Sequence, residues 1–313
     1  MSAHVPAPPT GIGRVVTAMI TPFTSDGALD LDGAQTLADH LVSNGTDTVL
    51  VHGTTGESPT LLGEEMWELL AAVKDAVGDR ANVMMGSGSN ATATAIRSTQ
   101  RATEMGADSL LVVTPYYNKP DQRGLVRHFR AVAEVTDLPI VLYDIKPRTA
   151  TAIEVSTMVD LAEVPNIVGT KDASGEWAKV GDVLVATEGA PGGFGVWSGA
   201  DEFNLGSIAT GATGVISVAA HLVGRELAEM IDVFATDPLR ARQLHLACLP
   251  LHRALFAEPS PAPLKAAMNE LGLPAGPVRL PLAEASPEAT RTVLDALERV
   301  RTTLASTSGA PTR

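Results

Sequence analysis

A lysine that closes an otherwise apolar run is the first residue here placed to do chemistry. In NIVGTK, from Asn166, the run carries Lys171 to what reads as a strand end. Lysine is sparse, at positions 74, 119, 146, 171, 179 and 265, and the others sit mostly in polar helix or loop contexts where a solvated charge is expected. A lysine held at a buried strand end is stripped of water, which favours the neutral amine that attacks a carbonyl; the alternative is a rim salt bridge. Tyrosine is rarer still. Tyr143 ends PIVLY, and Tyr116-Tyr117 follow LLVVTP, so all three fall just after apolar runs. There they either move protons or simply pack with the hydroxyl satisfied at an edge. GTTGE at 53–57 follows a third run. Its backbone N–H groups could cradle a carboxylate and its two hydroxyls relay protons, or it is a plain strand-to-helix turn; it lacks the Lys-Ser/Thr of a nucleotide loop.

Other chemistries are excluded. The single cysteine, Cys248, leaves no intramolecular disulfide, no CxxC motif and no cysteine-rich zinc site, which points to a reduced, cytoplasmic setting. Seven histidines make no HExxH-like spacing, so no dedicated metal site is expected. With 23 basic against 36 acidic residues the net charge is −13, and no Lys/Arg cluster suits nucleic acid or an anionic lipid surface. No apolar run reaches the ~18 residues of a membrane span, and the N-terminus does not read as a signal peptide.

Positioning these groups falls to a repeated unit. The 313 residues are 45% hydrophobic and 19% charged, enough for a sizeable core. Eight apolar runs start near Arg14, Thr48, Asn82, Ser109, Pro139, Asn166, Gly193 and Thr213. Each is continuously apolar, as strands covered on both faces are. Helical patterns lie between them. One places Leu37 and Leu41 on a face; the next places Met66, Leu69, Leu70, Val73 and Val77. Gly45, Gly106 and Gly211 suit left-handed helix ends, each followed by a β-rich run. The expected fold is an eight-stranded parallel β/α (TIM) barrel, whose chemistry sits at the C-terminal strand ends. A doubly wound sheet competes less well: GxGxxG is missing after the first strand, and GSGSNA at Gly86 is only a partial match placed elsewhere.

Strand signals stop near residue 237. Leu244, Cys248, Leu251 and Leu255 form a helical stripe that Pro250 should kink; 263–271 reads as another helix, and Ser286-Pro287 opens a last one carrying Val293, Leu297 and Val300. The expected organisation is a mobile tail over 1–10, the barrel over 11–236, a helical extension over 237–304 and a mobile tail over 305–313.

Taken together, GTTGES (53–58), TPYYNKP (114–120), YDIKPRT (143–149), GTKDAS (169–174) and GVISV (214–218) resemble one family: the pyruvate-dependent Schiff-base aldolases of the dihydrodipicolinate synthase and N-acetylneuraminate lyase type. The resemblance covers nearly the whole chain. It implies that Lys171 condenses with pyruvate, that Thr55 and the GTTGE backbone hold the pyruvate carboxylate, and that the Ile216 carbonyl and Gly199 line the same pocket. Tyr143 would pass protons through Thr54 to Tyr117, the last donated across a dimer interface, and Arg148 would hold the carboxylate of aspartate semialdehyde. The implied product is 4-hydroxy-tetrahydrodipicolinate, on the diaminopimelate route to lysine, from a homotetramer built as a dimer of dimers, with no metal or organic cofactor. The alternatives are cleavage of a 2-keto-3-deoxy sugar acid or N-acetylneuraminate, or a silent barrel that binds keto acids.

Two departures mark this chain. Tyr-Asn-x-Pro-x-Arg of the synthases is Tyr143-Asp144-Ile145-Lys146-Pro147-Arg148, and Ser-Gly-Asp-Asp is Ser198-Gly199-Ala200-Asp201. Lysine-inhibited members hold the effector near the positions of Ser58, Asn90 and Tyr116, with a carboxylate at the position of Thr94 and histidines at Gly63 and Met66. Weak or absent lysine feedback is therefore expected, with Asn90 reading otherwise as a helix N-cap.

Overall fold

The structure is a computed structural model that describes residues 11–308. Eight parallel strands close into a barrel in chain order: β1 (Val15–Ala18), β2 (Thr48–Val51), β3 (Asn82–Gly86), β4 (Ser109–Val113), β5 (Ile140–Asp144), β6 (Ile167–Asp172), β7 (Gly195–Ser198) and β8 (Gly214–Ser217). Val16 pairs with Thr48 on one side and with Ile216 on the other, which closes the ring. Each strand coincides with one of the eight apolar runs.

Around the barrel run α1 (Leu31–Ser43), α2 (Glu65–Val77), α3 (Thr92–Glu104), α4 (Gln122–Ala133), the single turn α5 (Lys146–Thr149), α6 (Val155–Ala162), α7 (Lys179–Ala186), α8 (Asn204–Thr210) and α9 (Ala220–Val233). Asp30 caps α1 and Asp121 caps α4, each carboxylate accepting a backbone N–H of the first turn. Gly45, Gly106 and Gly211 have φ of +96°, +76° and +113°, the left-handed geometry that lets each helix turn into its strand. On α2 the buried set is Trp67, Leu69, Leu70, Val73 and Val77, while Met66 is half-buried. Met66 still packs against the core cluster, and Trp67 joins it with the Arg101 guanidinium 4.8 Å from its ring centroid.

Two apolar layers result. A large cluster joins the outer strand faces to the helices, and a smaller one, including Leu50, Met84, Val141, Trp197 and Ile216, fills the barrel interior. Tyr143 belongs to the inner layer, so its ring caps the packed interior from the C-terminal end.

Beyond the barrel lie α10 (Pro238–Ala254), α11 (Ala262–Glu270) and α12 (Pro287–Ser308). Leu244, Cys248, Leu251 and Leu255 are buried, as are Val293, Leu297 and Val300. Pro250 lies inside α10, which runs on past it. The hydrogen bond it forfeits would reach the carbonyl of Leu246, an exposed residue that water can serve. Ser286 Oγ accepts from the Ala289 N–H at 3.1 Å and caps α12 as expected. That helix continues through 305–308, four residues into the expected C-terminal tail; residues 1–10 and 309–313 lie outside the described residues. Among the described residues no helix is long and apolar enough to cross a membrane.

Candidate active site

At the C-terminal ends of β2 to β5 opens a cavity of about 270 Å³, bounded by Thr54, Tyr116, Tyr143 and Arg148 among others. Strand geometry explains the set. Tyr143 and Lys171 are register partners on β5 and β6, so neighbouring side chains emerge together. Lys171 is 5% exposed, and its Nζ stands 4.2 Å from the centroid of the Tyr143 ring, over its face. A cation or amine gains there from the ring's negative face. Tyr143 is shared by the cavity wall and the barrel interior, whereas Lys171 is off the cavity wall.

Gly199 makes this packing possible. A Cβ at that position would lie 2.9 Å from both Cγ and Cε of Lys171 and 3.0 Å from the Ala173 Cβ. The Gly199 N–H donates to the Asp172 carbonyl at 2.7 Å, fixing the close approach of the β7 end to β6.

GTTGE forms a tight turn at the end of β2. The Glu57 N–H donates to the Thr54 carbonyl at 3.0 Å, and the Ser58 N–H to the Gly53 carbonyl at 3.3 Å. Thr21 Oγ donates to the Gly56 carbonyl at 2.6 Å and sews the turn to the β1 end. Thr54 reaches the cavity and Thr55 is buried behind it. Ile216 is likewise buried, in the barrel interior rather than on the cavity wall.

The remaining expected residues divide. Arg148 projects from α5 into the cavity, with its helical turn held by an Arg148 N–H to Ile145 carbonyl bond at 2.9 Å. Tyr117 points away: it is 90% exposed, and its φ of +73° is unusual for an aromatic residue. A non-glycine residue in that region costs ~1–3 kcal/mol and persists only where something else requires it. Asn90 is not a helix cap, because Ala91 holds that place on α3.

Several positions that line the cavity escaped the sequence reading. GSGSNA, set aside as a partial nucleotide motif, supplies Gly86 and Gly88 to the cavity wall. A Cβ at Gly86 would meet the His52 carbonyl oxygen at 2.2 Å, and one at Gly88 the Val113 nitrogen at 2.4 Å, so both must be glycine. His52 also lines the cavity and donates from Nδ1 to the Gly86 carbonyl at 2.7 Å; burial pushes its pKa down, which keeps it neutral.

Lys179 and Lys265 are not the solvated charges expected. Lys179 pairs with Asp144 at 2.5 Å, and Lys265 pairs with Glu57 at 2.9 Å with almost no exposure. Neither partner is near in sequence, so only the closed barrel reveals them. Asp201, next to Ala200, is buried and engaged: its Oδ2 accepts from the Val218 and Ala219 N–H groups at 3.0 and 2.9 Å. Asp201 thus anchors the turn after β8.

A family model described as the dihydrodipicolinate synthetase family matches residues 11–300. The 4-hydroxy-tetrahydrodipicolinate synthase of Moorella thermoacetica is 48% identical over 287 residues, which is 91% of this chain and 97% of that protein. That of Symbiobacterium thermophilum is 51% identical over 278 residues, 88% of this chain and 94% of that one. Among solved structures, the chloride-inhibited dihydrodipicolinate synthase of Acinetobacter baumannii, complexed with pyruvate, superposes with a TM-score of 0.89 at 36% identity, covering 93% of this chain and 99% of that one.

Proposed function

This chain belongs to the dihydrodipicolinate synthetase family and has 4-hydroxy-tetrahydrodipicolinate synthase activity, an enzymatic step of lysine biosynthesis; from that premise we propose that it condenses pyruvate with L-aspartate 4-semialdehyde on Lys171. The observation that carries the assignment is the pairing of Lys171 with Tyr143. An amine buried against a phenol ring, beside a glycine that leaves it room, can attack a ketone and exchange protons next to it.

Lys171 Nζ adds to C2 of pyruvate, and loss of water gives the iminium. The methyl group then loses a proton to leave an enamine, whose carbon attacks the semialdehyde carbonyl. The new C–C bond forms as the aldehyde oxygen takes up a proton. The substrate's own amine next attacks C2, Lys171 leaves as the free amine, and the ring closes. Tyr143 relays protons through Thr54 to Tyr117, which a second subunit supplies. Exposure of Tyr117 together with its unusual backbone supports that part of the reading.

Thr55 and the turn N–H groups hold the keto-acid carboxylate, with Gly199 and the Ile216 carbonyl completing that end of the pocket. Arg148, at the cavity mouth, pairs with the carboxylate of the semialdehyde, as a guanidinium does best. The assembly is a homotetramer made of two dimers, working in the cytoplasm.

Borohydride reduction in the presence of pyruvate tests the assignment. A reduced pyruvyl adduct should map to Lys171 alone and vanish in Lys171→Ala. Trapping that persists in that variant overturns it.

A further inference from the structure

Glu57 closes the GTTGE turn in a left-handed conformation, φ +54°, with its carboxylate sealed from solvent. An unpaired carboxylate there would be costly. Both groups that meet it come from beyond the barrel. Lys265 on α11 donates to Glu57 Oε1 at 2.9 Å and to the Thr21 carbonyl at 2.9 Å. The backbone N–H of Arg279, in the segment between α11 and α12, donates to Glu57 Oε2 at 2.9 Å. The Arg279 guanidinium then forks onto Glu65, at the start of α2, through two bonds of 2.6 Å. Phe23 joins the two cations: Lys265 Nζ lies 4.3 Å, and Arg279 Cζ 4.1 Å, from its ring centroid.

Stability alone does not call for such an arrangement, since a buried ion pair seldom outperforms apolar packing of the same volume. Its geometric effect is specific. The extension grips the last residue of the turn that presents Thr54 and Thr55, while Thr21 grips Gly56 from the other side. A turn held at both ends keeps its N–H groups and hydroxyls aimed, and a displacement of about 1 Å at such a site is enough to cost binding or rate.

We propose that Lys265 and Arg279 are positioning residues for the keto-acid carboxylate: through Glu57, the C-terminal extension sets the GTTGE turn and thereby the affinity for pyruvate, not for the aldehyde. The inference rests on the reading that this turn holds that carboxylate.

Steady-state kinetics on four full-length variants tests it. Lys265→Met should raise the pyruvate KM about tenfold and change the semialdehyde KM less than about twofold. Glu57→Gln with Lys265→Met removes the stranded charge but not the missing grip, so the raised pyruvate KM should persist; a return to the parent value would assign the effect to the stranded charge and overturn the proposal. An unchanged pyruvate KM in folded Lys265→Met, or an equal rise of both constants, overturns the proposal. If Lys265→Met yields no folded protein, Glu57→Gln alone decides, because glutamine keeps an acceptor for Lys265: a rise of about threefold in pyruvate KM supports positioning, and no rise overturns it. Thr55→Val separates the two layers. A pyruvate KM unmoved by Thr55→Val refutes the carboxylate assignment itself; a rise there without one in Lys265→Met refutes only the role of the extension.

Discussion

Lys179 Nζ lies 2.5 Å from Asp144 Oδ2, and the same ammonium donates to the Ile153 carbonyl at 2.6 Å. The other carboxylate oxygen accepts the Ile153 N–H at 3.3 Å, so the pair holds both backbone groups of one residue. Between Asp144 and Ile153 runs the loop that carries Arg148. Asp144 stands where the family usually has asparagine, and burial raises its pKa against the pull of Lys179. Replacing Asp144 by Asn should leave Lys179 buried without its counter-charge and cost about 3 kcal/mol or more. Adding Lys179→Met to that variant should recover at least half of the loss, because the orphaned charge goes with it. Urea midpoints of the two single variants and the double decide; strictly additive losses would refute the pairing as an energetic unit.

Gly199 gives a second expectation. An alanine methyl would press on Lys171 at Cγ and Cε and on the Ala173 methyl, so the fold should survive with a loss of about 1–3 kcal/mol. The amine cannot adjust without moving from its place over Tyr143. Single-turnover trapping with pyruvate should therefore slow by about tenfold or more in Gly199→Ala. A trapping rate equal to that of the parent would show that Lys171 does not depend on this approach.

Tyr143→Phe and Tyr117→Phe each remove one hydroxyl. Both variants should fold, and turnover should fall by about 10²–10⁴-fold, the range for general acid–base groups. Normal turnover in both would remove the relay. Tyr117 is exposed in the single chain; on the proposal that a second subunit supplies it, light scattering should show a tetramer that remains active on dilution only while dimers persist. Fully active monomers would contradict a donated Tyr117.

The barrel was legible because its signals are local and repeated. Eight continuous apolar runs, each after a turn or helix end, leave few ways to cover both faces of every strand. Lys171 and Tyr143 were brought to notice for a related reason: they end those runs, and the fold sets them side by side as register partners; Thr54 drew notice from the turn that follows its run, and Arg148 only from the family resemblance, since no local signal marks the turn that carries it. Glu57, Lys179 and Lys265 were not legible. Their partners lie 208 residues away for Glu57 with Lys265 and 35 for Lys179 with Asp144. A lysine in a helix reads as solvated until the fold buries it. Gly86 and Gly88 matched a nucleotide motif only in part, and their requirement is steric, set by the backbone of His52 just after β2 and of Val113 on β4.

His221 is fully buried with its tautomer fixed by two bonds: Nδ1–H donates to the Val218 carbonyl at 2.8 Å and Nε2 accepts the Ile20 N–H at 3.1 Å. Burial holds its pKa down to about 4, from an ordinary 6.5. Between those values the unfolded chain binds a proton that the folded chain refuses. Stability is therefore full above pH 6.5 and declines as pH falls towards 4, by about 1.4 kcal/mol per pH unit for one such group. Gln in place of His221 offers a donor and an acceptor with no proton to take up, so the slope of unfolding free energy against pH should be shallower by nearly one proton. An identical slope in His221→Gln would mean that His221 titrates normally in the folded protein.

Lysine itself should inhibit weakly or not at all. Ser58 and Tyr116, which match effector-contacting positions of lysine-inhibited members, border the cavity, and Asn90 accepts through its carbonyl from Asn118 Nδ2 at 2.7 Å. The place of the carboxylate is taken by Thr94, whose hydroxyl already accepts from the Arg97 guanidinium at 3.2 Å. An ammonium arriving there meets a cation in place of an anion. The lost charge-assisted bond is worth ~1.5–3 kcal/mol, or about one to two orders of magnitude in affinity. Gly63 and Met66 supply no imidazole in compensation. Titrating L-lysine into the condensation assay should leave the rate nearly unchanged through the submillimolar range, whereas Thr94→Glu should shift half-inhibition to lower lysine by about tenfold. Half-inhibition of the parent at submillimolar lysine would show that other residues supply the missing charge, and that the uncharged Thr94 does not set the response.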